Sequence, residues 1–258
     1  MNLHWLPALR VSDDAEGPCR TTGARGHTRA MTTLHRLSID VRPGTAVSAL
    51  AMSPPSAEAC LVLAHGAGAG MAHPFMQAVA EGLAERRIAT LRYQFPYMEQ
   101  GSKRTDAPPL AHATVRAAVA CASARFAGVR LFAGGKSFGG RMTSQAQALE
   151  PLAAVEGLVF LGFPLHPSGA PAKAAGRAAH LREVDVPMLF AHGPRDTLAE
   201  PAPFDDTVQA LGPIATVLEI EGADHSFHVL RRTGRTDEQA LDELLDGIAV
   251  WMQAWRIG

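Results

Sequence analysis

Three residues along the chain could together do nucleophilic chemistry: Ser137, Asp196 and His225. A serine hydroxyl near neutral pH is a poor nucleophile until a base takes its proton, and that base needs an acid to orient its ring. The serine lies in Val129-Arg130-Leu131-Phe132-Ala133-Gly134-Gly135-Lys136-Ser137-Phe138-Gly139-Gly140. An apolar, β-prone run ends at a glycine pair, turns over Ser137 and passes through two more glycines into helix-compatible sequence. Gly135-x-Ser137-x-Gly139 fits a strand-to-helix turn so tight that only glycines can flank the serine. Such a turn lifts the Ser137 hydroxyl above the sheet edge. It also aims the Phe138 N–H and the positive end of the next helix at the same spot.

The same residues raise a second chemistry. Gly135-Lys136-Ser137 is also the tail of a phosphate-binding loop, which needs a glycine five positions before Gly135. That position is Arg130, inside the expected strand, so the loop could not wrap a phosphate chain. Gly66-Ala67-Gly68-Ala69-Gly70 misses the dinucleotide fingerprint, whose third glycine falls at Met71 or His73. Neither turn calls for a nucleotide, and no cofactor is expected.

The partners that the serine requires follow in the chain. Phe190-Ala191-His192-Gly193-Pro194-Arg195-Asp196 puts Asp196 in a loop leaving an apolar strand. Glu221-Gly222-Ala223-Asp224-His225-Ser226-Phe227 puts His225 just past the last strand. Serine, acid and base then come in the order of an elbow nucleophile, each at the C-terminal end of a strand. Leu63-Ala64-His65-Gly66-Ala67-Gly68 supplies a second turn of small residues, whose Ala67 N–H would join the Phe138 N–H around a tetrahedral oxyanion. Each residue also has a plainer use. Ser137 could cap a helix. Asp196 could cap a turn, with Asp205 or Asp206 as fallback acids, and His228 rivals His225. Asp224 reads as a turn residue and His65 as a structural one.

Lys136, Arg92, Arg141 and Arg195 each adjoin one of these loops. They form either a cationic rim for acidic esters or, the favoured reading, donors to loop carbonyls and carboxylates. Lys136, Arg92 and His166 are the candidates for substrate contact, and Arg141 is expected to be a structural anchor.

The elements that must position this set alternate strand and helix signals, as in a largely parallel sheet covered on both faces. Leu34–Val41 and Ala46–Met52 read as an antiparallel pair around Arg42-Pro43-Gly44. Apolar runs at Cys60–Ala64, Ile88–Tyr93, Val129–Ala133, Gly157–Phe163, Pro187–Ala191 and Thr216–Ile220 read as buried strands. Helices are expected at 73–86, 107–126, 138–150, 203–211 and 236–255. In the last, Leu241, Leu244, Leu245, Ile248, Trp251, Met252 and Trp255 share one face, with the tryptophans as core packing. Pro164 to Ala179 is expected to be a loop and short helix over the site, too short for a large cap, leaving the pocket shallow.

With 258 residues, 47% hydrophobic and 19% charged, the chain can bury a full α/β core and lies far from disordered composition. A net charge of −1 gives no electrostatic reason to expect nucleic acid or an anionic membrane as partner. No apolar run reaches the roughly 18 residues a membrane span needs. Cys19, Cys60 and Cys121 are widely spaced and odd in number, and read as reduced residues of a cytoplasmic protein. Residues 1–30 are rich in Arg, Gly, Thr and Asp and lack an apolar signal core. They are expected to be a disordered or mis-assigned extension, with a single domain over 31–258.

Ala64-His65-Gly66-Ala67-Gly68, Gly135-Lys136-Ser137-Phe138-Gly139-Gly140-Arg141, His192-Gly193-x-x-Asp196 and Gly222-x-Asp224-His225-Ser226-Phe227 resemble the α/β-hydrolase superfamily. The resemblance covers about residues 34–256 and is nearest the dienelactone-hydrolase-like branch. Within that branch it is nearest the predicted hydrolases related to testis-expressed and non-specific-lethal-complex proteins, a group that Phe163-Pro164-Leu165-His166-Pro167 also resembles. It implies an α/β-hydrolase fold without a large cap domain, with Ser137 as nucleophile, Asp196 as acid and His225 as base. The elbow carries serine where true dienelactone hydrolases carry cysteine. The resemblance implies little about substrate; the triad chemistry gives the expectation of hydrolysis of a small carboxylic ester or thioester, by a monomer or homodimer. A non-catalytic interaction module and a small-peptide hydrolase or acyltransferase are the alternatives.

Overall fold

The computed structural model describes the backbone of residues 10–11 and 19–21 and the whole of residues 31–254. Among the described residues ten strands make one sheet: β1 (Arg10–Val11), β2 (Cys19–Thr21), β3 (Thr33–Arg42), β4 (Thr45–Ser53), β5 (Ala59–Ala64), β6 (Ile88–Tyr93), β7 (Arg130–Lys136), β8 (Val155–Leu161), β9 (Met188–His192) and β10 (Ala215–Glu219). Their order is β1-β3-β4-β6-β5-β7-β8-β9-β10, with β2 also on β3. β3 and β4 form the expected antiparallel hairpin, β4 meets β6 antiparallel, and every pairing from β6 to β10 is parallel.

Period-two burial explains why these segments are strands. Along β5, Cys60, Val62 and Ala64 enter the core on one face and Ala59, Leu61 and Leu63 the core on the other. Only a strand covered on both sides can bury six consecutive residues in this way. Truncating a leucine such as Leu61 to alanine would cost about 2–5 kcal/mol.

The helices are α1 (Pro74–Glu85), α2 (Pro96–Glu99), α3 (Pro108–Arg125), α4 (Phe138–Leu149), α5 (Ala174–Ala178), α6 (Pro201–Leu211) and α7 (Asp237–Ala254). A proline opens α1, α2, α3 and α6, where its missing N–H has no helical partner to lose. α1 and α7 cover one face of the sheet, and α3 to α6 contribute to the core on the other. On α7, Leu244, Leu245, Ile248, Trp251 and Met252 are buried as the spacing predicts, and Trp251 packs edge-on against Phe132. Trp255 lies outside the described residues.

The chain leaves β5 toward β6 on one side and returns at β7 on the other. The loops that follow β5 and β7 therefore part at the centre of the sheet, the usual place for a site in an open α/β sheet.

Two expectations change. β1 and β2 pair with β3 inside the segment expected to precede the domain, while the rest of residues 1–30 lies outside the described residues. Cys121, expected to be a reduced thiol, is in a disulfide, and Cys60 is a buried free thiol.

Candidate active site

β7 ends at Lys136 and α4 begins at Phe138, so Ser137 alone carries the turn. It does so at φ 50°, ψ −113°, a region costly for any residue with a β-carbon and maintained only by the structure around it. The flanking glycines are required by close approach. A Cβ at Gly135 would lie 2.3 Å from Ala64 O, and one at Gly139 would lie 2.6 Å from His65 O. The Ser137 side chain caps nothing on α4, which removes the helix-cap reading.

Its hydroxyl instead meets His225. Nε2 of His225 is 3.0 Å from Ser137 Oγ, and Nδ1 is 2.7 Å from Asp196 Oδ2. An ionised carboxylate can only accept, so Nδ1–H donates to Asp196, and Nε2 is left as acceptor for the serine O–H. The other oxygen of Asp196 accepts the Leu198 amide at 2.8 Å. Burial alone would raise the Asp196 carboxyl. The hydrogen bond and charge of His225, the Leu198 amide and Lys136 outweigh it and hold the group below its ordinary value.

Three devices hold the base loop. Arg195 Nη1 donates to Gly222 O at 2.9 Å and ties the acid loop to it. Asp224 Oδ1 accepts the Ser226 and His228 amides at 2.8 and 3.1 Å, the turn role expected of it. Lys136 Nζ donates to His225 O at 2.5 Å and lies 5.6 Å from the Phe227 ring centre. Gly162 makes this seating possible: at φ 66° it carries no Cβ, which would sit 3.0 Å from Lys136 Nζ and 3.3 Å from His225 Nδ1. Nothing in the sequence pattern singled out Gly162.

Burial lowers the Lys136 ammonium to about 8 against the opposing pull of Asp196 and Asp224. Its charge beneath the base loop is therefore lost as pH rises through about 8. kcat/KM should fall across that limb, and Lys136→Met should flatten the limb at a level about tenfold lower, since a hydrogen bond from a charged donor is worth about 1.5–3 kcal/mol. Stability moves the other way. Between about 8 and the ordinary 10.5 the unfolded chain binds the extra proton, so this group makes the fold more stable as pH rises there. A thermal melt series across pH 7.5–10, run beside the rate profile, checks both signs.

The remaining candidates sort by contact. His65 is buried and joins two loops: Nδ1–H donates to Gly66 O at 2.8 Å and Nε2 accepts from Phe95 N at 3.1 Å. Burial lowers its pKa, so it stays neutral in this structural role. His166 does the same for Pro167 O and Glu200 N. Arg92 is buried and donates to Met71 O at 3.2 Å. Neither Arg92 nor His166 lines the cavity beside Ser137, so both have structural work in place of the substrate contact expected of them. Lys136 does line it, with its ammonium bonded to His225 O. His228 turns away to Asp237, and Asp205 and Asp206 are exposed on α6.

The cavity beside Ser137 holds about 340 Å³ between Ala67, His73, Phe75, Met76, Ser137 and His225. Its size suits a small molecule. Residues 164–179, expected to lie over the site, contribute nothing to its wall. Larger clefts occur between α5 and α6, about 480 Å³, and near Arg130 at the opposite end of the strands, about 650 Å³. Neither contains a nucleophile with a base. Among the described residues, the Ala67 and Phe138 amides donate to no protein acceptor, which leaves both available to an oxyanion.

Solved structures share this architecture. A dienelactone hydrolase from Anabaena variabilis superposes with a TM-score of 0.69 at 20% identity, covering 87% of this chain and 99% of its own. A Xanthomonas campestris α/β serine hydrolase without lid gives 0.66 at 17%, covering 90% and 100%. Est1E of Butyrivibrio proteoclasticus, with ferulic acid bound, gives 0.61 at 17%, covering 82% and 99%. At these identities the likeness establishes the fold. Residues 57–253, from before β5 to near the end of α7, match the alpha/beta hydrolase domain family, and the chain belongs to that family.

Proposed function

We propose that this hydrolase cleaves a small carboxylic ester or thioester through Ser137, His225 and Asp196. The observation that carries the reading is the unbroken Asp196–His225–Ser137 contact, 2.7 and 3.0 Å, at the end of the central strands. Ser137 Oγ attacks the carbonyl carbon while its proton passes to His225 Nε2. The tetrahedral oxyanion takes the Ala67 and Phe138 amides, a pair whose loss by one member typically costs about 10²–10³ in rate. His225 then protonates the leaving alcohol or thiol, and the acyl group stays on Ser137. Water, deprotonated by the same nitrogen, releases the acid and restores the serine. Asp196 keeps Nδ1 protonated throughout.

The ferulic acid held by Est1E supports a small acid or ester as the ligand class, and the 340 Å³ cavity accepts one. The nearer kinship with the testis-expressed and non-specific-lethal-complex group belongs to this proposal, as does action by a monomer or homodimer without nucleic acid or membrane partner. Among the described residues no helix is long and apolar enough to cross a membrane. A cytoplasmic location rested on three reduced cysteines, and the disulfide at Cys121 removes that support. A panel of p-nitrophenyl esters of graded acyl length tests the reading. Turnover is expected with a preference for short acyl groups, and no turnover of any member would favour the non-catalytic module.

A further inference from the structure

The Ala67 amide owes its direction to two side chains that the mechanism does not use. The peptide groups on either side of Ala67 are each tied at one end. Gly66 O, which shares a trans peptide group with Ala67 N–H, accepts from His65 Nδ1–H at 2.8 Å. The carbonyl and N–H of one trans group point in opposite directions, so fixing Gly66 O fixes the line of Ala67 N–H. His65 can donate there because its Nε2 accepts from Phe95 N at 3.1 Å, which places the ring proton on Nδ1. The next group is tied from its other end: Gly68 N–H donates to Tyr97 Oη at 3.1 Å. With both groups held, Ala67 has little freedom left, and the turn continues through Gly68 at φ 74°. Gly66, Ala67 and Ser137 line the same cavity.

Tyr97 also reaches the second arm of the oxyanion hole. Its ring meets the Phe138 ring edge-on, with centres 6.3 Å apart at 87°, and Phe138 carries the other amide of the pair. The His65 ring lies 6.0 Å from that of Tyr97. Phe95 packs against both sides of this group, 5.0 Å from His65 and 5.3 Å from Phe138. All four rings are buried, and edge-on pairs of this kind hold a preferred geometry. Tyr97 is itself anchored: α2 opens at Pro96, and Tyr97 N–H donates to Asp106 Oδ2 at 3.1 Å. Burial raises its phenol, so the hydroxyl stays protonated and neutral. One residue thus touches the Ala67 turn with its hydroxyl and the Phe138 arm with its ring. It lines no part of the cavity beside Ser137, so its role is not substrate contact.

We infer that Tyr97 is a positioning residue for the oxyanion hole, holding the Ala67 and Phe138 amides in one geometry through its hydroxyl and its ring. The inference rests on the serine-hydrolase reading. On the full chain, Tyr97→Phe keeps the ring and removes the acceptor of Gly68 N–H. With p-nitrophenyl acetate, kcat should fall about tenfold while KM stays. The loss is smaller than that for a missing donor, because the amide is displaced and not removed. Two ketones separate positioning from packing. With trifluoroacetophenone, Ser137 Oγ bonds to the carbonyl carbon, its proton passes to His225 Nε2, and the carbonyl pair moves onto the oxygen facing the two amides. Its inhibition constant should rise by the same factor as kcat falls. Acetophenone forms no such adduct, and its constant should not change. Equal weakening of both ketones, or a raised KM at wild-type kcat, would show that Tyr97 only shapes the pocket. Wild-type kinetics with a lower melting temperature would show a bond that is only structural. Each of these results overturns the inference. If Tyr97→Phe does not fold, Asp106→Ala decides, since it releases the Tyr97 amide and leaves the hydroxyl in place. A lower kcat at unchanged KM then supports the inference, and wild-type kcat overturns it. A wild type that neither cleaves the ester nor binds trifluoroacetophenone removes the serine-hydrolase reading and the inference with it. An active wild type matched by Tyr97→Phe removes the inference alone.

Discussion

Changing Ser137 to alanine should leave a folded protein whose kcat for an activated ester is lower by about 10⁶-fold, roughly 8 kcal/mol of barrier. The fold has little reason to notice. The serine oxygen caps no helix N–H, and the Cβ that suffers the φ of 50° is retained by alanine. What disappears is the one atom within 3.0 Å of His225 Nε2 that can attack a carbonyl. Circular dichroism melts beside initial rates with p-nitrophenyl acetate check both halves. A variant that melts like the wild type and keeps a tenth of its rate would show that the hydroxyl is not the nucleophile.

The second large effect is expected at Asp196, and its cause is the direction of one hydrogen bond. In Asp196→Asn the Leu198 amide still needs an acceptor at the Oδ1 position, 2.8 Å away. That fixes the new amide oxygen there and turns the NH₂ toward His225 Nδ1. A donor facing Nδ1 forces the ring proton onto Nε2, where it can no longer take a proton from Ser137. A loss of about 10⁴ in kcat with the geometry otherwise intact is the expected size. Stability carries a separate signature. Because the folded carboxyl sits below its ordinary value, Asp196 stabilises the fold at neutral pH and that contribution is lost as pH falls through the carboxylate range. The variant should therefore show a flatter acid limb in its melting profile. An unchanged kcat would contradict the relay.

The residues proposed as nucleophile, acid and base were legible in the sequence because each sits where an apolar strand gives way to a turn, a change of pattern visible residue by residue. Ser137, Asp196 and His225 were read from those changes, and the structure brings them into contact. The buried strands β5 to β9 were legible for the same reason. β1 and β2 were not, since two or three residues show no period to read. Side chains that act through space were harder. Arg92 and His166 carry the residue types of a binding site, yet the elements around them bury them against backbone groups. Arg141, expected to be an anchor, has a buried Nε without an acceptor among the described residues. Gly162 escaped notice because its purpose is the space it leaves for Lys136 and His225, which arrive from elsewhere in the chain. The disulfide at Cys121 escaped because spacing alone does not bring cysteines together.

The central claim is that Ser137 is an activated nucleophile, and a fluorophosphonate probe tests it most directly. The native protein should take up one phosphonyl group per chain, mapped by peptide mass spectrometry to Ser137. Labelling should be abolished in Ser137→Ala and strongly slowed in His225→Gln. A folded protein that resists the probe and hydrolyses no activated ester would contradict the account.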